Sequence, residues 1–273
     1  MRLLSSRLLT GVCALGAFVF FGLMAQDLVA LTFFLIVLFL AGIEWGGLSG
    51  LQSIYGKTLY SSAICILSVV ILDWSAVDEE NRQLGAYLTL VFWLAALFWL
   101  ILYQKTGKGI IINKIILGAV GALVLVSMFV SVMTIKNSNL YYLLSLILVV
   151  SCADIFAFVG GKLFGRHKLI ANVSPGKTWE GLIFGIFWAM FIGNLLYLLN
   201  PVLNLYIWNA VVAITTLASV VGDLFESMIK RFRKVKNSGT VLPGHGGVLD
   251  RLDSVCAAAP VYLCALLHMG YIA

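Results

Sequence analysis

The sequence predicts an all-α integral membrane protein with about nine transmembrane helices and a cytoplasmic N-terminus. Apolar residues occupy 62% of the 273 positions and charged residues only 11%, and the mean hydropathy is +1.04. This composition excludes a water-soluble domain, because so few polar residues cannot cover its surface. The apolar residues also form runs of about twenty, the length of helix that spans the hydrocarbon core of a bilayer.

The first apolar run follows Arg2 and Arg7 and is longer than the hydrophobic region of a signal peptide. It also lacks an A-x-A-like cleavage site, so we interpret it as a transmembrane helix. The predicted helices lie near residues 5–25, 27–47, 59–75, 84–104, 112–134, 139–161, 179–199, 204–229 and 254–272.

The basic residues set the orientation. With the N-terminus inside, 16 of the 18 Lys and Arg residues fall on the cytoplasmic side, and only Arg82 and Lys136 fall outside. This is the positive-inside bias of membrane proteins. The net charge of +6 therefore reflects topology, although a basic cytoplasmic face also attracts anionic lipid headgroups and nucleotides. We expect no nucleic-acid partner and, since no transit sequence is recognisable, a bacterial inner membrane.

Two polar loops interrupt the C-terminal half of the chain. We divide the helices into an N-terminal set of about five within 1–135 and a C-terminal set of about four within 136–273. The loops, 162–181 and 227–254, concentrate Lys, Arg, Gly, His and Asp where a membrane protein normally has a plain connection. We therefore expect the chemistry in these loops, on the cytoplasmic side.

Four carboxylates lie within apolar helices: Glu44, Asp154, Asp223 and Glu226. Each costs about 2.5–3.5 kcal/mol at mid-membrane, so each requires a compensating interaction. Glu44 precedes Trp45 near the predicted cytoplasmic end of its helix. We expect it to be solvated there, with a structural or dimer-contact role.

The helix near 204–229 ends in a polar face. Its members recur at i, i+3, i+4 and i+7 and are Asp223, Glu226, Ser227 and Lys230. One interpretation is an internal Asp–Lys pair that steadies the helix end. The other is half of a site whose second half is Asp250 and Asp253, at the start of the last helix.

The turn between these two acidic groups, residues 243–247, is rich in glycine. Gly246 and Gly247 lack side chains, so backbone N–H groups can approach an anion at the start of the following helix. Carboxylates for a divalent cation beside such a cradle indicate nucleotide chemistry. His245 has two open interpretations, a general base or a hydrogen-bonding partner within the turn.

A third polar segment begins at Ser174, which we interpret as a helix N-cap with Pro175 as the first helical residue. Gly176-Lys177-Thr178 superficially resembles the end of a P-loop. That motif requires a glycine five positions before Gly176, where this chain has Ala171, so we reject it. Lys177 remains a suitable phosphate contact.

Three segments of the C-terminal half carry a family pattern. They are Ser227-x-Ile229-Lys230-Arg231 continuing through Lys236, Gly239, Leu242, Pro243 and His245-Gly246-Gly247-Val248-x-Asp250-Arg251-Leu252-Asp253; Ser174-Pro175-x-Lys177-Thr178-x-Glu180-Gly181; and the SCADIFAFVGGKLFGRHK segment around Asp154. Together they resemble the phosphatidate cytidylyltransferases, or CDP-diacylglycerol synthases. The resemblance is dense in the C-terminal half and only compositional over roughly the first 140 residues.

The resemblance implies transfer of CMP from CTP to phosphatidic acid, giving CDP-diacylglycerol and pyrophosphate, with Mg2+ and room for a second cation. The residues that it implies as catalytic are Asp223, Asp250, Lys230 and His245. Those that it implies as metal ligands are Asp223 and Asp250, with Asp253 and Asp154 as weaker candidates. It also implies contact with membrane lipids, and we expect a homodimer.

The resemblance further implies a set of substrate contacts, in which the basic members neutralise phosphates. They are Ser174, Lys177, Thr178, Ser227, Arg231, Lys236, Gly246, Gly247 and Arg251. Lys230 is expected to neutralise phosphate as well. For Arg251, a structural pairing with Asp154 or Glu226 is an equal alternative.

The chain departs from the family pattern at Asn237, where the family has Asp after the lysine. An Asn carbonyl oxygen can bind a cation, but it lacks the charge that attracts one. If the family's Asp is a metal ligand or base, this departure lowers activity.

Three other functions are open. A transporter also buries carboxylates, but it spreads them at the midplane of repeat halves. A CDP-alcohol phosphotransferase needs a D-G-x-x-A-R-type run, which the sequence lacks. A CTP-dependent kinase or cytidylyltransferase acting on a polyprenol or an archaeal ether lipid fits the sequence better than these two.

Overall fold

The structure is a computed structural model that describes residues 27–106, 113–201, 204–239, 241 and 246–272. Within these ranges it contains eight helices and one β-hairpin. The helices are α1 (Asp27–Ser49), α2 (Ile54–Val77), α3 (Glu79–Thr106), α4 (Lys114–Ser138), α5 (Leu140–Phe164), α6 (Trp179–Leu199), α7 (Leu205–Phe232) and α8 (Leu249–His268). Seven of them, α1 to α7, have the length and composition to cross a membrane.

The predicted all-α class is confirmed, and the eight predicted helices after the first have ends within about five residues of those observed. The predicted helix near 5–25 lies outside the described residues. The largest shifts are at α2, α3 and α8, which begin before their apolar runs. An apolar run shows only the length of a helix that lies within the membrane. The helix itself can begin earlier, with a polar first turn such as Glu79 and Glu80 of α3.

Helix α8 lies at the centre of the bundle and contacts α1, α3, α4, α5 and α7. Its residues Ala257, Ala258 and Ala259 are fully buried, because their small side chains let neighbouring helices approach closely. The first turn of α8 therefore starts from a fixed position.

Helices α5 and α6 form a closely packed pair through glycines. A Cβ at Gly181 would lie 2.6 Å from the carbonyl oxygen of Ala157, and one at Gly185 would lie 2.7 Å from that of Ala153. The two G-x-x-x-G segments of these helices, residues 161–165 and 181–185, thus pack within one subunit, since Gly161 also lies beside Gly181.

A short antiparallel hairpin connects these two helices. Strand β1 (Lys168–Ile170) pairs with β2 (Ser174–Thr178), with Lys168 opposite Thr178 and Ile170 opposite Ser174. The predicted N-cap at Ser174 and helical Pro175 are therefore wrong. Helix α6 begins at Trp179, and Thr178 is its N-cap, whose hydroxyl accepts a hydrogen bond from the Gly181 N–H at 3.1 Å.

Hydrogen bonds between the residues before β1 and a carboxylate in the first turn of α6 close the hairpin at its base. Glu180 accepts hydrogen bonds from the backbone N–H of Arg166 at 3.1 Å and of His167 at 3.2 Å. The His167 ring lies 2.6 Å from the same carboxylate. These bonds hold the start of β1 beside the end of β2, the strand that carries Ser174 and Lys177.

Candidate active site

A cavity of about 490 Å3 lies where the hairpin meets the ends of α5, α7 and α8. Its lining includes eight of the residues that the sequence predicts as ligands or substrate contacts. They are Asp154, Ser174, Lys177, Thr178, Asp223, Asp250, Arg251 and Asp253. The structure thus brings residues of the two loops together with two of the four embedded carboxylates, Asp154 and Asp223.

Besides Asp250, three carboxylates reach this cavity, each from a different helix: Asp154 from α5, Asp223 from α7 and Asp253 from α8. Asp253 interacts electrostatically with both of the others. Such a cluster of like charges is unfavourable unless a cation compensates it. Within the described ranges, however, no group of three or more His, Cys, Asp or Glu side chains is arranged to hold a metal ion by itself.

Asp223 is held by two neighbours. Its Oδ2 lies 2.5 Å from Lys177 Nζ, and its Oδ1 accepts a hydrogen bond from Ser227 Oγ at 3.3 Å. Both ends of the Lys177–Asp223 pair remain about one quarter exposed, at 26% and 25%. Ser227 therefore orients Asp223, and Lys177 is an exchangeable partner on the cavity wall.

Lys230 forms a second, buried network. Its Nζ lies 3.0 Å from Glu226 Oε1 and 2.6 Å from Asp250 Oδ1. The second oxygen of Asp250 accepts hydrogen bonds from the N–H of Gly247 at 2.8 Å and of Ser238 at 3.0 Å. The predicted internal pair exists, but with Glu226 and Asp250 rather than Asp223, and Asp250 is already bound by three donors.

The loop between α7 and α8, residues 238–248, is called the signature loop below. Its glycines Gly246 and Gly247 allow close approach of the backbone to anions, as predicted, but these anions are carboxylates of the protein. Gly246 has a φ of +87°, and a Cβ there would lie 2.6 Å from Asp250 Oδ2. At the next residues, the N–H groups of Val248 and Leu249 donate to Glu44 at 3.0 and 2.9 Å. The three backbone donors of residues 247–249 are thus used by carboxylates.

The position of Glu44 differs from the one expected from the sequence. It is only 5% exposed, so the predicted solvated position at the end of its helix is wrong. Its contacts lie some two hundred residues away in the chain, where no periodicity or spacing could indicate them. The only signal in the sequence was a carboxylate within an apolar run.

The remaining predicted residues are Arg231, Lys236 and His245. Arg231 donates from Nε to the carbonyl oxygen of Val173 at 3.1 Å and so ties α7 to the hairpin, with its side chain exposed. Lys236 is exposed, and His245 lies outside the described residues. Lys162 lines the cavity although the sequence analysis did not select it. Two features of the sequence could have indicated it: Lys162 begins the predicted loop 162–181, and it lies in the segment around Asp154 that carries the family pattern.

Arg251 also borders a second cavity of about 230 Å3. Apart from Arg251 and Ser151, the lining of that cavity within the described residues is apolar. Its other residues are Phe33, Phe34, Val37, Met128, Phe129, Val132, Leu143, Leu146, Ile147, Leu252 and Val255. Arg251 therefore stands between a charged cavity and an apolar one.

Comparison with known proteins places this site in a family context. Residues 5–269 match the model of the cytidylyltransferase family. The chain belongs to the cytidylyltransferase family. Membership of this family covers the N-terminal helices as well, where the sequence pattern was only compositional, and it does not favour a transporter.

Several named cytidylyltransferases are similar to this chain. The phosphatidate cytidylyltransferase of Pseudomonas aeruginosa is 32% identical over 250 residues, which cover 86% of each protein. That of Haemophilus influenzae is 34% identical over 204 residues, 70% of this chain and 71% of the relative. That of Staphylococcus aureus is 40% identical over 134 residues, 49% and 52% of the two chains.

Proposed function

We propose that this chain is a phosphatidate cytidylyltransferase, which transfers CMP from CTP to phosphatidic acid and releases pyrophosphate. The observation that carries the proposal is the convergence of Asp154, Asp223 and Asp253 with Lys177 and Arg251 on one cavity at the end of the helices. The similarity to phosphatidate cytidylyltransferases over most of the chain supports the same reaction.

The reaction needs no covalent nucleophile from the protein. A phosphate oxygen of phosphatidic acid attacks the α-phosphorus of CTP, and the bond from that phosphorus to the bridging oxygen of the β-phosphate breaks. Pyrophosphate leaves with the electron pair, and CDP-diacylglycerol remains. The obstacle is bringing two polyanions together, so catalysis consists of positioning and charge neutralisation.

The carboxylates fit a requirement for Mg2+. Carboxylate oxygens are the hard donors that this ion prefers, and the ion commonly uses only one or two of them, completing its shell with waters and substrate phosphates. We assign Asp223 and Asp253 as the principal ligands, with Asp154 beside them. Asp250 stays a candidate, but ligation would compete with the donors that already hold both its oxygens. When bound, the cation would supply charge neutralisation at the phosphates.

The basic residues on the cavity wall bind the substrate phosphates. Lys177 lies within hydrogen-bond distance of Asp223 and is partly exposed, so it can exchange this partner for a phosphate oxygen. Arg251 borders both the charged and the apolar cavity. A lipid phosphate bound to Arg251 would therefore lie at the boundary between the two cavities, with its acyl chains toward the apolar one. Lys162 adds a third cation to the wall.

We further propose that the cavity faces the cytoplasm of a bacterial inner membrane, because CTP is cytoplasmic and the basic loops surround this end. A homodimer stays part of the proposal. Its interface would use surfaces other than the G-x-x-x-G segments, which pack within the subunit.

The test is to incubate purified, lipid-reconstituted protein with α-labelled CTP and phosphatidic acid, with and without Mg2+. We expect label in the lipid phase only when Mg2+ is present, and a loss of labelling in the Asp223→Asn protein. Parallel reactions with a polyprenol or an ether-lipid phosphate test the alternative acceptors. Labelling of one of those lipids but not of phosphatidic acid by folded protein would overturn the proposed substrate.

A further inference from the structure

The signature loop is held by a carboxylate from the opposite half of the chain. Glu44 of α1 accepts hydrogen bonds from Val248 N–H at 3.0 Å, through Oε1, and from Leu249 N–H at 2.9 Å, through Oε2. The Ser238 hydroxyl donates to the same Oε2 at 2.9 Å. One buried side chain thus binds both ends of the loop from Ser238 to the start of α8.

Glu44 is itself fixed by the packing of α1. The indole N–H of the next residue, Trp45, donates to the carbonyl oxygen of Leu117 in α4 at 3.0 Å. Gly121 leaves the space for this indole, since a Cβ there would overlap it. On the other side, a Cβ at Gly42 would meet the Ser61 side chain of α2. The carboxylate is therefore presented from a rigid helix end.

The loop has glycines where Glu44 requires them. A Cβ at Gly239 or at Gly247 would collide with the Glu44 carboxylate. Both glycines thus face the same side chain. Their absent side chains allow the backbone to close on Glu44 from two directions.

Ser238 joins Glu44 to Asp250. Its hydroxyl donates to Glu44, while its backbone N–H donates to Asp250 Oδ2 at 3.0 Å. A shift of Glu44 would therefore move the loop and, through it, the carboxylate that also binds Lys230. Asp253 and Arg251 follow on the same first turns of α8 and line the cavity.

We propose that Glu44 is a positioning residue for the transfer reaction: it anchors the signature loop and the start of α8, and thereby places Asp250, Arg251 and Asp253 around the cavity. This inference rests on the proposed function. Glu44 acts through the loop and does not touch the substrates. It also accepts hydrogen bonds from N–H groups at the start of α8 that have no partner within the helix, and its charge lies at the positive end of the α8 dipole.

The chemistry of the contact requires a carboxylate. Glu44 accepts from three donors, whereas a glutamine has one acceptor oxygen and turns an NH2 donor toward donors that are already there. Glu44→Gln keeps the shape and removes this complementarity. Glu44→Asp keeps both oxygens but is one methylene shorter, so it restores part of the anchoring.

The first measurement is hydrogen exchange of the reconstituted protein, read by mass spectrometry on a peptide that covers Val248 and Leu249. We expect faster exchange of this peptide in Glu44→Gln and an intermediate rate in Glu44→Asp. A peptide from the centre of α4 should exchange as in the wild type. This readout is independent of activity and of bound metal.

The second measurement is steady-state kinetics per folded protein. We expect kcat/KM for CTP to fall at least tenfold in Glu44→Gln, with both a lower kcat and a higher KM, and to recover partly in Glu44→Asp. Glu80→Gln, which removes an exposed carboxylate in the first turn of α3, is the matched control and should retain wild-type kinetics. Ser238→Ala should have a smaller effect than Glu44→Gln and a still smaller one in the Glu44→Gln background.

The outcomes separate this inference from the proposed function. If wild-type protein transfers no label, the proposed function fails, while the exchange data still test the anchoring. Wild-type kinetics in Glu44→Gln, or tighter CTP binding there, would overturn the inference, the latter because Glu44 would then compete with substrate phosphate. If Glu44→Gln does not fold, Ser238→Ala and Gly239→Ala carry the test, and wild-type kinetics in both would overturn it.

Discussion

Asp223 and Glu226 lie about one turn apart on α7, yet they pair with lysines in different surroundings. The Lys177–Asp223 pair stands on the cavity wall with about one quarter of each side chain exposed. Lys230, Glu226 and Asp250 are 9%, 4% and 11% exposed. An exposed ion pair is exchangeable and contributes little to stability, whereas a buried one cannot lose a member without leaving an uncompensated charge.

The comparison assigns different roles to similar residues. The Lys177–Asp223 pair can open to admit phosphate and a cation, because solvent and substrate reach it. The Lys230 network holds α7 to the first turn of α8 and keeps Asp250 in place. We therefore expect substitutions in the buried network to change stability, and substitutions in the exposed pair to change turnover.

The largest effect is expected for Lys230→Met. Removing this cation leaves Glu226 and Asp250 buried without their partner, which should lower the free energy of unfolding by about 3–5 kcal/mol. Thermal unfolding in detergent would show this as a lower midpoint and a smaller yield of folded protein. Lys105→Met, at an exposed position near the end of α3, is the control and should leave the midpoint unchanged. An unchanged midpoint in Lys230→Met would show that the buried network contributes no more to stability than the exposed Lys177–Asp223 pair.

The next effect is expected for Asp223→Asn. It should lower kcat by about a hundredfold, or about 2.7 kcal/mol of barrier, because a neutral amide attracts a cation poorly. The unfolding midpoint should stay close to that of the wild type. Asp73→Asn, which changes an exposed carboxylate of α2, controls for loss of charge. Turnover near the wild-type value in Asp223→Asn would remove this residue from the metal site.

Lys177→Met is expected to act less strongly. It should raise the KM for CTP or phosphatidic acid about tenfold, since one phosphate contact is lost while the carboxylates remain. Its effect on the free energy of unfolding should be below about 1 kcal/mol, because the pair is partly exposed. A large loss of stability with an unchanged KM would mean that Lys177 is structural and that the comparison with Lys230 fails.

Apolar runs are a local signal and were sufficient for the eight helices that lie within the described residues. The grouping of Asp154, Lys177, Asp223 and Asp253, which line one cavity, came from the family resemblance. It was misleading at Ser174 and Pro175, where the signals for a helix N-cap also fit a strand that ends at Thr178. Pairing with β1 and the hydrogen bonds from Arg166 and His167 to Glu180 decide between these structures, and both need residues that precede Ser174.

Tertiary contacts explain the other differences. Lys230 lies four residues after Glu226 and seven after Asp223, so spacing allowed either partner. The position of α8 decides in favour of Glu226 and Asp250, while the hairpin brings Lys177 to Asp223. Glu44 was expected to be solvated because no local pattern reveals the N–H groups of a distant helix.

The smallest effect is expected at Asn237, which is exposed and lies beside Gly246, next to the buried network. Asn237→Asp adds a carboxylate close to Asp250, and it should lower the Mg2+ concentration needed for half-maximal turnover by a few-fold, because added charge attracts a cation. Asn237→Ala removes the amide without adding a charge, so it tests whether loss of the Asn side chain alone has an effect. It should not lower the Mg2+ concentration needed for half-maximal turnover. If the two variants titrate identically with Mg2+, position 237 is peripheral to the site, and the departure from the family pattern has no consequence for cation binding.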